Sequence, residues 1–393
     1  MDLSFQGVRV VDLTRVISGP FCSALLADLG ADVIKVEPRE QGDPVRGQGV
    51  MVGSMSSYFA NYNRNKRSIA LDLYASEGKA VLAALLARAD VLVENFRPDV
   101  LGRMGFSAER LKEINPALVH CNINGFGIDG PYADRPAFDF IVQAMSGFMS
   151  CNGSAGDPPL RTGVPIADLV CGLYAALGIA AALHDRDKHP QGATLSVSML
   201  ASMMSMLSFH ATNYLNSGEI APRTGNDHAL VAPYGLFATA DGEIAIAPSN
   251  DAFYVRLVKA LGLEELLVDP TYATNELRVA RRSELNKVIE NRTRNETSAH
   301  WIEVLNRAGI PCGPVYGIGE AFADPQVRGQ GVAVAARCQS GPVAIVGLPI
   351  RCDGVAREPR LPPPELGEHT EAILREIGYD DDGLSRLRAA SVI

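Results

Sequence analysis

The stretch "VRVVDLTRVISGPFCSALLADLGADVIKVE" (residues 8–37) predicts the fold class. Its two ends, "VRVVDL" (8–13) and "ADVIKVE" (31–37), are short apolar runs typical of buried strands. Between them, "FCSALLADLG" predicts a helix that ends at Gly30. Because strands joined through a helix run parallel, this stretch is expected to start a parallel sheet.

The same alternation continues along the chain. Further apolar strands are predicted at 67–73, 90–95 and 117–123, with helices at 76–88 and 107–114. Such an order is typical of an α/β fold with a Rossmann-like parallel sheet that is covered on both faces. The first strand-to-helix turn, "DLTRVISGP", has a single glycine and lacks the Gly-x-Gly-x-x-Gly pattern, which indicates against NAD or FAD binding.

The second half of the chain predicts a different kind of structure. Long helices are expected at 139–149, 168–184 and 198–215, followed by a hairpin with its turn at Asp241–Gly242 and by more helices at 251–261, 281–291 and 296–308. We therefore expect a large domain at 1–220, completed by 340–393, and a smaller α+β domain at 225–335.

Composition narrows the classes of partner. The chain has 393 residues, 47% of them hydrophobic, and a net charge of −9, which is typical of an ordinary globular protein and argues against nucleic acid as a partner. Its seven cysteines form no Cys-x-x-Cys pair, so neither a disulfide framework nor a metal site is expected. Without a basic segment before an apolar run at the N-terminus, a cytoplasmic location is expected.

One carboxylate stands alone in "TGVPIADLVCGLYAALGIAAAL" (162–183), where Asp168 is the only charged residue. A membrane-spanning helix is disfavoured, because a buried charge is costly and no basic cluster flanks the stretch. Two interpretations remain open from the residues themselves: an acid that caps the start of a core helix, or a reactive group at its mouth.

Cations gather near the predicted strand ends of the first sheet. The carboxyl ends of parallel strands line the ligand crevice of such folds, so these side chains are expected to form a rim for a ligand with several phosphates, or else to be ordinary solvated surface. They are Lys35, Arg39, Arg64, Lys66, Arg67, Arg97 and Arg103.

Seven ordered segments, which span nearly the whole chain, resemble those of the class III coenzyme A-transferases of the CaiB/BaiF type, the family of formyl-CoA transferase and of succinyl-CoA:dicarboxylate CoA-transferases. The resemblance implies an interlocked homodimer, with a large Rossmann-like domain and a small domain in each chain. The segments are "LGADVIKVEP" (29–38), "NRNKRSIALDL" (63–73), "VLVENFRPDVLGRMG" (91–105), "GFGIDGPYADRPAFD" (125–139), "VPIADLVCGLYA" (164–175), "IPCGPV" (310–315) and "LGEHT" (366–370).

The resemblance also implies the site. Asp168 is expected to be the nucleophile, and a carboxylate of ordinary pKa is ionised at neutral pH without a helper base. No permanently bound cofactor is implied, since coenzyme A and acyl-CoA are substrates. Coenzyme A contacts are expected at Val16, Ile17, Ser18, Arg39, Leu71, Asn95, Phe96, Arg103 and Met104.

Two positions of the expected substrate pocket separate transferases from racemases. The racemase branch of the family needs a histidine and an acid that exchange protons with the substrate, and Phe138 and Asn250 stand at these positions here. Neither side chain can exchange a proton, so the transferase is favoured and an α-methylacyl-CoA racemase is the alternative.

The expected reaction moves CoA from an acyl-CoA donor to a short carboxylate through an aspartyl anhydride and an aspartyl-CoA thioester. The segments at 225–237 and 274–285 resemble the branch that uses succinyl-CoA and dicarboxylates, and no long glycine run of the formyl-CoA:oxalate type is present. Succinyl-CoA is therefore the expected donor, with formyl-CoA:oxalate transfer left open.

Overall fold

The computed structural model describes residues 4–186, 188–339, 341–356 and 358–393, and they divide into two compact units. The first unit comprises the chain up to Gly147 together with Thr162–Ser208 and Pro325–Ile393. The second comprises Phe148–Arg161 and Phe209–Asp324.

These bounds differ from the expected domains in detail. Residues 148–161 and 209–220, expected in the large domain, cluster with the second unit, and residues 325–335 cluster with the first. The expected return point at 340 lies outside the described residues.

The first unit is built on a six-stranded sheet in which every pair of neighbouring strands is parallel. Two antiparallel pairs, β12 with β13 and β3 with β4, accompany this sheet. The strands of the first unit are β1 Arg9–Asp12, β2 Asp32–Glu37, β3 Met51–Val52, β4 Met55–Ser56, β5 Lys66–Ala70, β6 Val91–Glu94, β7 Val119–Asn124, β8 Thr194–Ser198, β12 Ala333–Cys338 and β13 Gly341–Val346.

The strand order in this sheet is β5-β2-β1-β6-β7-β8. The chain first builds outward from β1 through β2 to β5 and then returns to place β6 on the other side of β1. In sheets of this kind the ligand crevice lies outside the carboxyl ends of the strands where the order reverses, which here is between β1 and β6. The predicted α/β fold with a large parallel sheet is confirmed.

Helices cover the sheet and include the last ones in the chain. Ile373, Leu374 and Leu384 lie in one apolar core with Val11 and Ile34 of the central strands. The helices of the first unit are α1 Ser18–Asp28, α2 Ser57–Asn63, α3 Ser76–Leu86, α4 Val100–Arg103, α5 Ala108–Ile114, α6 Asp139–Met145, α8 Ile166–Arg186, α9 Met199–Met206, α16 Pro325–Gly329, α17 Thr370–Glu376 and α18 Asp381–Ala389.

Helix α8 has the length and composition of a membrane-spanning helix, with a mean hydropathy of 2.0. A core helix passes the same test, and α8 packs within the first unit against α1, α6, α9, β7 and β8. Its inner face, which includes Cys171, Ala175 and Ile179, is buried. The outer face leaves Leu173 and Leu177 exposed.

The second unit contains a three-stranded antiparallel sheet with surrounding helices. Its core packs around Trp301, whose indole N–H donates to the carbonyl of Thr293 at 2.7 Å. The predicted hairpin is found, closed by the Thr239 N–H on the Gly242 carbonyl. The elements are β9 Gly235–Ala238, β10 Glu243–Ile246, β11 Cys312–Pro314, α7 Phe148–Cys151, α10 Phe209–Ser217, α11 Asp251–Leu261, α12 Asn275–Ala280, α13 Arg282–Thr293, α14 Ser298–Arg307 and α15 Ile318–Ala323.

Candidate active site

Asp168 lies in the first turn of α8, two residues after the helix begins at Ile166. The acid that caps this turn is Asp139 of α6, because the Ala167 N–H donates to its Oδ1 atom at 2.8 Å. Gln143 steadies Asp139 by donating to its Oδ2 atom at 2.7 Å. The interpretation of Asp168 as the helix cap is therefore wrong, and its carboxylate is available for another role.

Helix α1 approaches α8 closely beside Asp168. One helical turn after Asp168, a Cβ atom on Gly172 would lie 2.6 Å from the carbonyl oxygen of Ser18, so only glycine fits there. Ser18 is the first residue of α1 and is buried, and its hydroxyl donates a hydrogen bond to the Asp168 carboxylate. Ser18, expected as a coenzyme A contact, thus touches the Asp168 carboxylate.

Burial and a neighbouring carboxylate perturb Asp168. Its pKa is raised from 3.8 to about 7: removal from water contributes most, the charge of Asp139 adds to the increase, and the hydrogen bond from Ser18 opposes both. The expectation of a carboxylate with an ordinary pKa is corrected, because the pKa of Asp168 lies near neutral pH. A carboxylate with a raised pKa is also a better nucleophile once it is ionised.

Two tyrosines of α2 also face Asp168. Burial raises the pKa of Tyr58 to about 12, with Tyr62 and Asp168 adding to the effect. Burial likewise raises the pKa of Tyr62, and Asp168 contributes. Both phenols stay protonated at neutral pH, which makes them hydrogen-bond donors beside the carboxylate. Sequence reasoning missed both of them, as well as Asp139, because no local pattern relates α2 or α6 to α8.

A cavity of about 510 Å³ opens at the carboxyl ends of the central strands. Its lining includes Arg39 after β2, Leu71 after β5, and Phe96 and Met104 after β6, all four of which were expected to contact coenzyme A. The position matches the point where the strand order reverses. A pocket with apolar walls and an arginine at its mouth suits an adenine or pantetheine group with a phosphate.

The other expected coenzyme A contacts lie around this cavity or beside it. Val16 and Ile17 belong to the β1–α1 turn, residues 13–17, whose first three residues line the cavity. Asn95 holds that turn by accepting from the Arg15 N–H at 3.1 Å and donating to the Arg15 carbonyl at 2.9 Å. Arg103 is exposed at the end of α4 and, in the described part of the chain, has no ion-pair partner.

The predicted rim of cations is largely wrong. Lys35 and Lys66 are buried and pair with Asp43 and Asp12 at 2.9 and 3.0 Å. Arg64 and Arg67 lie at the amino end of β5, whereas the cavity lies at the carboxyl ends of the strands, and they bind carboxylates there.

Three cations of the predicted rim, Arg39, Arg97 and Arg103, keep some exposure, and Arg15 joins them. Arg15 lines the cavity and lies three residues after the end of β1, so the order of the strands alone would have indicated it.

The two buried lysines change the pKa of Asp12, and the pKa of Lys35 changes as well. Burial alone would raise the pKa of Asp12, but the ammonium groups of Lys66 and Lys35 and hydrogen bonds from Ser23 and Thr14 lower it to about 2. Burial alone would lower the pKa of Lys35, but the carboxylates of Asp43, Asp12 and Glu37 together raise it. The Lys35–Asp43 pair also holds the β1–α1 turn, because Lys35 donates to the Thr14 carbonyl and Asp43 accepts from the Val16 N–H.

Phe138 and Asn250 lie in different units. Phe138 stands directly before α6 and is 72% exposed, next to the capping Asp139. Asn250 precedes α11, and its side-chain oxygen accepts from the Phe253 N–H at 3.0 Å. The Asn250 side chain therefore has a structural role as a helix cap.

The geometry can be compared with known proteins. The chain is 39% identical over 380 residues to the succinate--glutarate CoA-transferase of Agrobacterium fabrum, with 95% of each chain covered. It is 37% identical over 374 residues to the acetyl-CoA:oxalate CoA-transferase of Acetobacter aceti, again with 95% of each covered. The crystal structure of a CAIB/BAIF family protein from Brucella suis superposes with a TM-score of 0.85 at 37% identity, over 96% of this chain and all of that one.

These comparisons confirm the resemblance that the sequence segments predict. The family model described as CoA-transferase family III matches residues 5–370. With a match over nearly the whole chain and relatives well above 30% identity, the protein is an enzyme that belongs to CoA-transferase family III.

Proposed function

We propose that this CoA-transferase moves CoA from succinyl-CoA to a short dicarboxylate, with Asp168 as the nucleophile. The observation that carries the proposal is the half-buried carboxylate of Asp168, which has a pKa of about 7 and a hydroxyl donor in contact with it. It lies in the same unit as the cavity at the switch point of the sheet, and the β1–α1 turn lines that cavity and leads directly into Ser18.

The reaction starts when ionised Asp168 attacks the thioester carbonyl of the donor. The carbon–sulfur bond breaks, CoA leaves as the thiolate, and a mixed anhydride joins Asp168 to the donor acyl group. The thiolate then attacks the aspartyl carbonyl, so that the donor leaves as a free carboxylate and CoA is held on Asp168 as a thioester.

The second half of the cycle mirrors the first. The acceptor carboxylate attacks the aspartyl-CoA carbonyl, releases the thiolate and forms a second anhydride. The thiolate attacks the acceptor acyl carbon of that anhydride, which gives the new acyl-CoA and regenerates the Asp168 carboxylate. One thioester is consumed and another is formed, so the reaction conserves the free energy of the thioester bond.

The choice of a dicarboxylate rests on the relatives. One of the two relatives described above is a succinate--glutarate CoA-transferase and the other is an acetyl-CoA:oxalate CoA-transferase, and glutarate and oxalate are both dicarboxylates. Succinyl-CoA is proposed as the donor because the segments at 225–237 and 274–285 resemble the branch that uses succinyl-CoA and dicarboxylates. The name of the Acetobacter aceti relative contains acetyl-CoA, so an assay has to compare acetyl-CoA with succinyl-CoA as donor.

We also propose that the active form is the interlocked homodimer that the family resemblance implies. Helices α6, α8 and α9 expose large apolar side chains on the first unit, among them Phe140, Met145, Leu177 and Met204. Monomeric proteins rarely expose apolar side chains in such density, and a second copy of the chain would cover them.

The seven cysteines are all free thiols, in keeping with a cytoplasmic location.

The decisive experiment offers the protein succinyl-CoA, acetyl-CoA or formyl-CoA with a panel of acids: glutarate, oxalate, itaconate, mesaconate and citramalate. New thioesters are followed by mass spectrometry. With succinyl-CoA and no acceptor, intact-protein mass is expected to show one CoA bound as a thioester, cleavable by hydroxylamine and absent from Asp168→Ala. Exchange with none of the acceptors would refute the proposal, and incorporation of solvent deuterium at the α-carbon of a 2-methylacyl-CoA would support the racemase instead.

A further inference from the structure

We infer that Asp43, held in place by Lys35, is a positioning residue that fixes the β1–α1 turn so that the Ser18 hydroxyl meets Asp168. This inference deepens the proposed function and rests on it. Asp43 follows β2 and, within the described residues, forms no hydrogen bond with Asp168 or Ser18, so its influence passes through the backbone of the turn.

The turn contains a backbone conformation that its own residue does not favour. Val16 has a φ of 72°, in the left-handed region, and valine is β-branched. Such a residue is a clear outlier there, and it persists only when its surroundings hold it in place. The Val16 side chain packs against the apolar cluster that contains Val45 and Phe59, which supplies part of the restraint.

Asp43 supplies the polar part of the restraint. Both oxygens of its buried carboxylate accept from the Val16 N–H, at 3.2 and 3.3 Å. Lys35 donates to Asp43 Oδ2 at 2.9 Å and to the carbonyl of Thr14 at 2.9 Å, so a single ammonium group ties the carboxylate and the turn together. The Asp43 N–H donates to Glu37 at 3.0 Å, which anchors the Asp43–Lys35 pair, here called the clamp, on β2.

Ser18 follows Val16 by two residues and begins α1, so a relaxation of Val16 toward an ordinary φ would rotate the Ser18 hydroxyl away from Asp168. The close approach of Gly172 to the Ser18 backbone leaves little space for Ser18 to shift and restore the contact. The clamp therefore sets the geometry of the nucleophile from the far side of the turn.

Titratable groups surround both carboxylates: among the described residues Tyr58 belongs to both sets, and Lys66 of β5 also faces Asp43. Asp139 of α6, Tyr58 and Tyr62 of α2 and Cys171 of α8 face Asp168. Lys35 and Glu37 of β2 face Asp43, and so does Tyr58. The Asp43→Asn substitution leaves all of these side chains in place.

The two ways in which Asp43 could act predict opposite signs. If only its negative charge mattered, Asp43→Asn would lower the pKa of Asp168, because one repelling charge is gone. If Asp43 positions Ser18, the same substitution raises the pKa of Asp168 by about one unit, because a hydrogen bond to the charged form is lost. Ser18→Ala should reproduce that increase.

The test measures the pKa of Asp168 directly by carboxyl ¹³C NMR, with Asp168→Asn to assign the signal, and measures transfer from succinyl-CoA in parallel. For Asp43→Asn we expect the increase in pKa, a fall in kcat of roughly 10- to 100-fold and a change in KM of less than about threefold. Asp28→Asn is the matched control, since it breaks another buried ion pair, with Arg64, at the other end of α1 and should change neither quantity.

Val16→Gly provides a second test. Glycine adopts the left-handed conformation without strain, so in this background the kcat loss caused by Asp43→Asn should shrink to less than about a third. If Asp43→Asn fails to fold, Lys35→Met with Asp43→Asn removes the pair without leaving an unpaired buried charge.

An unchanged or lowered pKa of Asp168 in Asp43→Asn would overturn the inference, as would an equal kcat loss in Asp28→Asn. Failure of the wild-type protein to transfer CoA would refute the proposed function, while the NMR titration would still decide the role of Asp43.

Discussion

The Asp168→Asn substitution should abolish CoA transfer and at the same time stabilise the protein at neutral pH. The folded state raises the pKa of Asp168 from 3.8 to about 7. Between these two values the folded protein binds a proton that the unfolded chain does not, so this group makes the wild type lose stability as pH rises from about 4 to about 7. Asparagine has no such cost, and its side-chain oxygen can still accept from Ser18.

The size of the effect follows from the two pKa values. One pKa unit corresponds to about 1.4 kcal/mol, so the upper limit of the gain is about 4 kcal/mol at pH 8 and about 2 kcal/mol at pH 5. Because the Asp168 carboxylate is partly exposed, water screens part of this, and we expect a gain of about 2 kcal/mol at pH 8 and about 1 kcal/mol at pH 5.

Urea unfolding at the two pH values measures these free energies of unfolding, with Asp129→Asn as a control at an exposed carboxylate. The reasoning fails if Asp168→Asn is no more stable than the wild type at pH 8, or if its gain is the same at both pH values.

Three further predictions concern the cavity, the helix contact and the outer face. In steady-state kinetics, Arg39→Ala should raise the KM for succinyl-CoA about tenfold with kcat little changed. The control Arg110→Ala, at a surface ion pair, should leave both constants unchanged. Equal effects of the two substitutions would show that Arg39 is not part of the binding site. Gly172→Ala should lower the free energy of unfolding in urea by about 1–3 kcal/mol, because its methyl group collides with a carbonyl of α1, whereas Gly178→Ala, with 3.5 Å of clearance, should not. Leu177→Glu should convert the proposed dimer to a monomer in size-exclusion chromatography, and an unchanged elution volume would place the interface elsewhere.

The fold could be predicted because its evidence is local. Each central strand is a short apolar run, and the turns and helices between them follow the rules of sequential neighbours. Strand β8 escaped prediction because "TLSVS" is polar at alternate positions and lies at the edge of the sheet, half exposed, so its sequence does not mark a buried strand. Strand β11, with three residues, is too short to show a pattern.

Within the site, the residues that a local pattern or a family segment marks were predicted, and those that depend on contacts distant in sequence were not. Asp168 stands out as a lone charge, and the family resemblance carries Leu71, Phe96 and Met104 to the wall of the cavity. Lys66, in contrast, meets a carboxylate 54 residues away along the chain.

A single sequence cannot show which cation will find such a partner, so most of the predicted rim turned out to be internal structure. The raised pKa of Asp168 likewise depends on Asp139 and on burial, both of which arise only when α6 packs beside α8.

The contribution of α17 and α18 to the core of the first unit sets an order of folding. The carbonyl of Val392 accepts from the Asp72 N–H, and Val392 itself is fully buried. A ribosome must therefore synthesise both ends of this unit before it can close, whereas every residue of the second unit has already been made by Asp324. We expect the second unit to fold first during translation, while the open edge of the larger unit depends on the last helices for protection from aggregation.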